Sequence, residues 1–168
     1  MKTLKTFIFL FTISLFLSCQ KESYFEFDEV EYYFKDVTVE DTFKIALKEK
    51  KNNDDKEFLK IVEGNSPKIV SEEYSSRLLK FGYIKKTIDK TKNEQLNDIF
   101  SENNCKESIV AACIPKYRDI LIFKKNNKTV GIAKICFGCR LFHIIGTNKN
   151  LENFGQCGDF EKLEKLIN

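Results

Sequence analysis

The sequence predicts an α+β domain in which an N-terminal strand and several short helices precede a mostly antiparallel sheet and a C-terminal helix. Three observations support this class. Residues 24–34 alternate apolar and acidic side chains, which is typical of a half-buried strand. Most of residues 38–81 and residues 91–100 change to helical spacing, with capping residues before the segments. Residues 108–146 are rich in β-branched and aromatic side chains, which indicates further strands.

The first predicted helix covers residues 38–50. Thr38 is a suitable N-cap because its hydroxyl can accept a hydrogen bond from a free N–H of the first turn. Four apolar residues fall on one helical face: Val39, Phe43, Ala46 and Leu47. An amphipathic helix is therefore predicted here.

Two more helices are predicted from cap and stop residues. The first of these helices covers residues 54–63, with Asp54 as the potential cap and Gly64 just after its end. The second covers residues 72–81, with Ser71 as the potential cap. The second of these helices has an apolar stripe, predicted to be core: Tyr74, Leu78 and Phe81.

Residues 82–88 predict a strand, and Thr91 with Glu94 has the spacing of a capping box for a fourth helix that ends near Phe100. Three segments of the second half share β-branched and aromatic character and are predicted strands: 108–123, 128–136 and 141–146.

Asn126 and Asn127 predict a hairpin turn between the first two of these strands, because Asn tolerates the positive φ of tight turns. Asp159 is predicted to cap a C-terminal helix. The apolar residues of that helix share one face: Phe160, Leu163, Leu166 and Ile167.

The chain begins with a basic and then an apolar segment. Lys2 and Lys5 precede an apolar run from Phe7 to Leu17. That run is shorter than the roughly 17–25 residues that a helix needs to cross a bilayer. A basic start followed by a short apolar run is typical of a secretory signal peptide, which predicts one over residues 1–18.

The apolar run ends in Phe16-Leu17-Ser18-Cys19, which resembles the lipobox of bacterial lipoproteins. The resemblance implies cleavage before Cys19, a diacylglycerol thioether on its sulfur and acylation of the new amino group. Two acyl signals give stable attachment without a membrane-spanning helix. The next four residues, Gln20 to Ser23, partly resemble the export signal of surface lipoproteins of Bacteroidota.

The resemblance divides the chain into a signal peptide (1–18), a lipid anchor with a short tether (19–23) and a single α+β domain (24–168). It implies an outer-membrane location, and it leaves open whether the domain is periplasmic or exposed at the cell surface. The membrane is then a partner through the lipid anchor.

The charge pattern argues against nucleic acid as a partner. The formal net charge is +3, and lysines alternate with acids, as in residues 48–58. Such interleaving is typical of a solvated surface rather than of a basic patch that binds phosphates.

Five cysteines remain besides Cys19, all in the second half of the chain: 105, 113, 136, 139 and 157. An oxidising compartment outside the cytoplasm favours disulfides, and an odd count leaves at least one thiol free or paired between chains. A turn centred on Asn126-Asn127 places Cys113 opposite about residue 140, next to Cys139. The predicted disulfide is therefore Cys113–Cys139, with Cys113–Cys136 as the alternative.

Cys136 and Cys139 also form a Cys-x-x-Cys motif, so an envelope thiol–disulfide oxidoreductase is an alternative. Such a centre needs a thiolate stabilised by a helix N-terminus or a nearby positive charge. Arg140 supplies a charge, but the residues that follow predict a strand. A zinc site is a second alternative, with Cys113, Cys136, Cys139 and His143 as ligands, although it lacks the second ligand pair that would make the pattern specific.

The sequence therefore favours a disulfide-stabilised, lipid-anchored envelope protein with a binding or structural role, no cofactor and no catalytic residues. Its ligand, a protein or a small molecule, is not specified by any motif. No phosphate-binding glycine loop, HExxH or GxSxG pattern is present in the chain.

Overall fold

The computed structural model of the protein describes residues 21–106 and 113–168. The predicted signal peptide, Cys19, Gln20 and residues 107–112, which include the start of the predicted strand 108–123, lie outside the described residues. The five strands of this part of the chain are β1 Glu29–Phe34, β2 Ile84–Thr87, β3 Asp119–Lys125, β4 Lys128–Cys136 and β5 Leu141–Ile145. They form one antiparallel sheet in the order β2-β1-β3-β4-β5, which confirms the α+β class.

The α-helices of the described ranges are α1 Val39–Ala46, α2 Asn53–Val62, α3 Glu73–Lys80, α4 Asn93–Ile99 and α5 Asp159–Ile167. The predicted cap of α1 is confirmed, because the Thr38 hydroxyl accepts from Asp41 N and the Asp41 carboxylate accepts from Thr38 N. The predicted cap of α2 is wrong. Asn52 caps that helix, and its Oδ1 accepts from Asp55 N at 2.7 Å.

The caps of the other helices differ from prediction by one or two residues. Asp89, not Thr91, caps a single 3-10 turn that leads into α4, and its Oδ1 accepts from Thr91 N at 2.9 Å. Gly158 precedes α5 with a φ of 84°, so Asp159 is the first helical residue. Ser71 Oγ accepts from Glu73 N at 3.3 Å, although Glu72 occupies the cap position of α3.

Helices cover both faces of the sheet. The N-terminal segment, α4 and α5 pack on one face, around Tyr32, Leu121 and Phe123. The helices α2 and α3 pack on the other, around Ile120 and Ile122. The predicted stripe of α3 is part of that second core, with Tyr74 and Leu78 fully buried and Phe81 packed at its margin: these residues are core, as predicted.

The β3–β4 hairpin turns at Asn126 and Asn127, which have φ values of 50° and 64°. The predicted turn is confirmed. The ladder begins with Lys125 opposite Lys128 and ends with Asp119 opposite Ile135, with a register irregularity after Phe123.

The predicted strand 24–34 is too long, and the prediction that it is half-buried is wrong. Tyr24 N donates to Phe100 O at 2.8 Å, so this part of the backbone bonds to the end of α4 and not to a strand. Phe25 packs against Phe123, with ring centroids 4.6 Å apart. The regular strand begins at Glu29, and its four central residues are buried because both faces of the sheet are covered.

The predicted strand 108–123 is also too long, since regular pairing starts at Asp119. Pro115 has no N–H to donate, and Tyr117 N donates to Val62 O at 2.8 Å instead of to β4. The segment before β3 therefore runs along the end of α2 and leaves the sheet.

Candidate functional site

The Cys-x-x-Cys motif lies in the tight turn between two strands. Cys136 is the last residue of β4, Leu141 is the first residue of β5, and residues 137–140 form the turn between them. Arg140 adopts a φ of 50° and pairs with Glu161 on α5 at 2.6 Å. Cys139 is followed by Arg140 and then by β5, so the motif does not open a helix of its own as it does in thioredoxin-like centres.

Two disulfides are present in the described residues, Cys105–Cys157 and Cys113–Cys139. The Cα atoms of each pair are 6.2 Å apart, within the usual range for a disulfide. The protein is therefore a disulfide-stabilised domain. The second bond joins the pair that the hairpin register predicts.

The two cysteines are not cross-strand neighbours in a ladder, as the hairpin register had predicted. The β3–β4 ladder stops at Asp119, so Cys113 and Cys139 both lie beyond it, in a loop and in a turn. The alternative pair, Cys113–Cys136, does not form in the structure. Cys136 is free and only 5 % exposed, and its Sγ accepts a hydrogen bond from Lys116 N at 3.3 Å.

His143 lies on β5 opposite Lys134. Its Nε2 is 2.8 Å from the carbonyl oxygen of Pro67, which can only accept, so Nε2 carries the proton. Burial lowers the pKa of His143, and the charge of Lys134 acts in the same direction. The neutral ring therefore serves as a hydrogen-bond donor to the loop that precedes α3.

The four proposed zinc ligands are not assembled as a metal site. Two of them, Cys113 and Cys139, are bonded to each other, and His143 uses Nε2 for Pro67. Within residues 21–106 and 113–168, no group of three or more His, Cys, Asp or Glu residues could hold a metal ion. A zinc ion at these residues would require reduction of the disulfide, because thiolates and not disulfides bind zinc.

Lys134 is a buried lysine that the sequence reasoning missed. It lies on β4 with no exposed surface, and its Nζ donates to Gly64 O at 2.5 Å and Ser66 O at 2.8 Å. The ammonium also lies 4.3 Å from the centre of the Tyr117 ring. The sequence signal was a lysine at an alternate position between Ile132 and Cys136, on the inward face of an apolar strand. Lys134 thus binds the loop after α2 to the sheet.

Burial lowers the pKa of Lys134 from 10.5 to about 7, because the ammonium is removed from water. The unfolded chain therefore binds more protons than the folded chain between about pH 7 and 10.5, and stability rises with pH through that window. We expect the free energy of unfolding to gain about 2 kcal/mol from this group between about pH 7.5 and 9. Urea unfolding at each pH measures it.

The matched control for this prediction is Lys134→Met, which keeps the length of the side chain and removes the titrating group. The free energy of unfolding of this variant should not show the increase between about pH 7.5 and 9, whatever its absolute value. Parallel pH profiles for the wild type and the variant would contradict the assignment of the rise to Lys134.

A cleft of about 330 Å³ opens beside the free thiol at the end of the sheet. Its walls include Lys116, Asp119 and Cys136, together with Glu164 of α5. Burial raises the pKa of Asp119, although the Tyr32 hydroxyl donates to its carboxylate at 2.6 Å. The cleft carries charges of both signs, with Lys116 and Arg118 on its walls beside Asp119 and Glu164.

The apolar face of α1 points to solvent. Val39, Phe43 and Leu47 are 69 %, 58 % and 66 % exposed, and Thr42 is the buried residue of the helix. These three side chains are hereafter the α1 stripe. The helix predicted from its amphipathic spacing is present, but its apolar face is not part of the core.

No protein-family model matches the chain, and neither the curated proteins nor the solved structures include a significant match. None of the helices in the described ranges is long and apolar enough to cross a membrane.

Proposed function

We propose that this protein is a lipid-anchored envelope lipoprotein of the outer membrane, and that its disulfide-stabilised domain binds a partner. The observation that carries the proposal is the combination of a lipobox-like segment ending at Cys19 with two disulfides in the domain that follows. Disulfides persist in oxidising compartments, which is where a lipobox would deliver the chain.

The binding role rests on the α1 stripe. Exposed apolar side chains that share one helical face are typical of a protein contact. The hydrophobic effect gives such a face a reason to be covered, since each large apolar side chain contributes about 1.5–3 kcal/mol on full burial. None of the elements formed by residues 21–106 and 113–168 buries these three side chains, which favours a contact with a second molecule.

The oxidoreductase alternative has less support. Cys139 is bonded to Cys113 and not to Cys136, and the Cys136 thiol is buried. A catalytic thiol must reach its substrate, and exposed thiolates are the reactive ones. In the purified native protein we therefore expect iodoacetamide to modify Cys136 much more slowly than after denaturation, although the residue borders the cleft.

The first test of the proposal is the fate of Cys19. We expect the full chain, expressed in a Gram-negative bacterium, to fractionate with membranes and to carry a lipid mass on Cys19. The variant Cys19→Ala should carry no lipid mass and should keep residues 1–18, because acylation and cleavage at the lipobox both require the cysteine. Ser18→Ala keeps a small residue before the cysteine and is the matched control, which should be cleaved and should carry the lipid mass.

A wild-type chain that reaches the membrane without a lipid mass on Cys19 would reject the anchor. Rapid alkylation of native Cys136, together with turnover of a disulfide substrate, would replace the binding role with the oxidoreductase.

A further inference from the structure

The fold begins almost immediately after the proposed lipid attachment residue. Glu22 O accepts from Glu102 N at 2.8 Å, and Ser23 forms a β-bridge with Ser101. The next two residues, Tyr24 and Phe25, are already buried in the core. Residues that the sequence assigned to a tether therefore belong to the domain, and only two residues separate Cys19 from Glu22.

We infer that the domain rests directly on the phospholipid headgroups, and that one defined edge faces them. This inference rests on the proposed lipidation of Cys19. A chain spans at most about 3.6 Å per residue, so the Cα of Glu22 lies within about 11 Å of the Cα of Cys19. The headgroup layer of one leaflet is itself about 5–7 Å thick. The surface around Glu22 therefore cannot lie far above the bilayer.

The edge that meets the membrane, here called the anchor edge, is formed by Glu22, Asn97, Asp98, Glu102 and Lys149. Ser23 Oγ donates to Asn97 Oδ1 at 2.7 Å, and Lys21 pairs with Asp98 at 3.0 Å. Lys149 pairs with Glu22. These contacts fix the first described residues to the end of α4 and to the loop after β5.

The charges of the anchor edge suit zwitterionic headgroups. Lys21 pairs with Asp98 and Lys149 pairs with Glu22, while the Glu102 carboxylate accepts from Asn150 N, so the edge has no cluster of positive charge that would select anionic lipids. Lipid attachment supplies the affinity in this arrangement, and the edge supplies the orientation.

The same orientation holds the α1 stripe away from the lipid. Phe25, three residues after Glu22, packs on Phe123 at the end of the sheet near the hairpin turn. Helix α1 follows Phe34, at the other end of β1. Six strand residues cover about 17–20 Å, so the sheet separates the stripe from the anchor edge. The stripe is then presented to proteins outside the bilayer and not to the bilayer itself.

The chain contains no tryptophan, so the fluorescence of a single introduced tryptophan comes from one known position. We propose single substitutions in the full lipidated protein, reconstituted in phosphatidylcholine vesicles that contain a headgroup-labelled nitroxide lipid. Asn148→Trp is exposed next to Lys149 of the anchor edge, whereas Leu79→Trp is exposed on α3. We expect at least about twofold quenching at position 148 and none at position 79.

A linker variant gives the matched control. A Gly/Ser-rich insertion of about ten residues between Gln20 and Lys21 is a flexible coil and lets the domain leave the surface. It should abolish quenching at position 148 while the protein stays bound to vesicles.

Mass spectrometry distinguishes failure of the proposed orientation from failure of the proposed lipid anchor. A lipidated, vesicle-bound protein with equal quenching at both positions, or with quenching that survives the linker, would overturn the orientation alone. An unmodified Cys19 would overturn the proposed anchor and the orientation with it.

Discussion

Replacing both cysteines of the Cys105–Cys157 bond by serine is expected to lower the free energy of unfolding by about 4 kcal/mol, and replacing Cys113 and Cys139 by about 3.5 kcal/mol. The bonds close loops with sequence separations of 52 and 26 residues. In the chain-entropy model, each bond restricts the unfolded ensemble, and the longer loop is restricted more. Loss of both is comparable with the entire stability of a typical domain, about 5–15 kcal/mol.

Urea unfolding of the chain from residue 20, exported to a periplasm with a cleavable signal peptide and followed by circular dichroism, measures these differences. The variant that lacks all four disulfide-bonded cysteines should be largely unfolded at 37 °C. Cys136→Ala removes a single buried thiol and should lower the free energy of unfolding by only about 1 kcal/mol. Unchanged unfolding midpoints in both double variants would show that the two bonds do not hold the native fold.

Phe123→Ala is expected to cost about 3–5 kcal/mol, whereas Phe43→Ala should change stability by less than about 0.5 kcal/mol. Phe123 is fully buried on β3, with the rings of Phe25 and Phe100 4.6 and 4.7 Å from its own. Its truncation leaves a cavity in a closely packed core. Phe43 is 58 % exposed on α1, and Ala is the better helix former.

The two substitutions remove the same atoms from one protein, so the difference between them isolates burial. Denaturant midpoints at constant m-value give both numbers. A large loss for Phe43→Ala would mean that the α1 stripe is packed within the monomer in solution, and it would remove the argument that this stripe binds a partner.

Local signals in the sequence were sufficient for much of the fold. Asn126 and Asn127 marked the hairpin turn because few other residues accept positive φ, and Thr38 marked the start of α1 because its hydroxyl satisfies a free N–H. Errors arose where competing signals lay close together. Asn52 and Asp54 are both good caps, and the structure uses Asn52, which forms a reciprocal capping box with Asp55.

The candidate site was less predictable than the fold. The sequence located the cysteine motif and the pair Cys113–Cys139 but gave no partners for Cys105 and Cys157, because their contact depends on how α4 and α5 pack together. Lys134 was missed for a similar reason. Its burial depends on the loop carrying Gly64 and Ser66, which is remote in sequence and offers two carbonyl oxygens to its ammonium.

The sequence by itself predicted the α+β class, the approximate positions of the helices and strands, the hairpin turn and the pattern that resembles a lipobox, because each depends on residues close together in the chain. Only the tertiary structure decided which apolar faces are buried. The stripes of α1 and α3 have similar spacing, yet Tyr74 lies in the core and Phe43 lies in solvent. Spacing tells which side chains share a face, but burial depends on whether another element packs against that face, and that is a property of the whole chain.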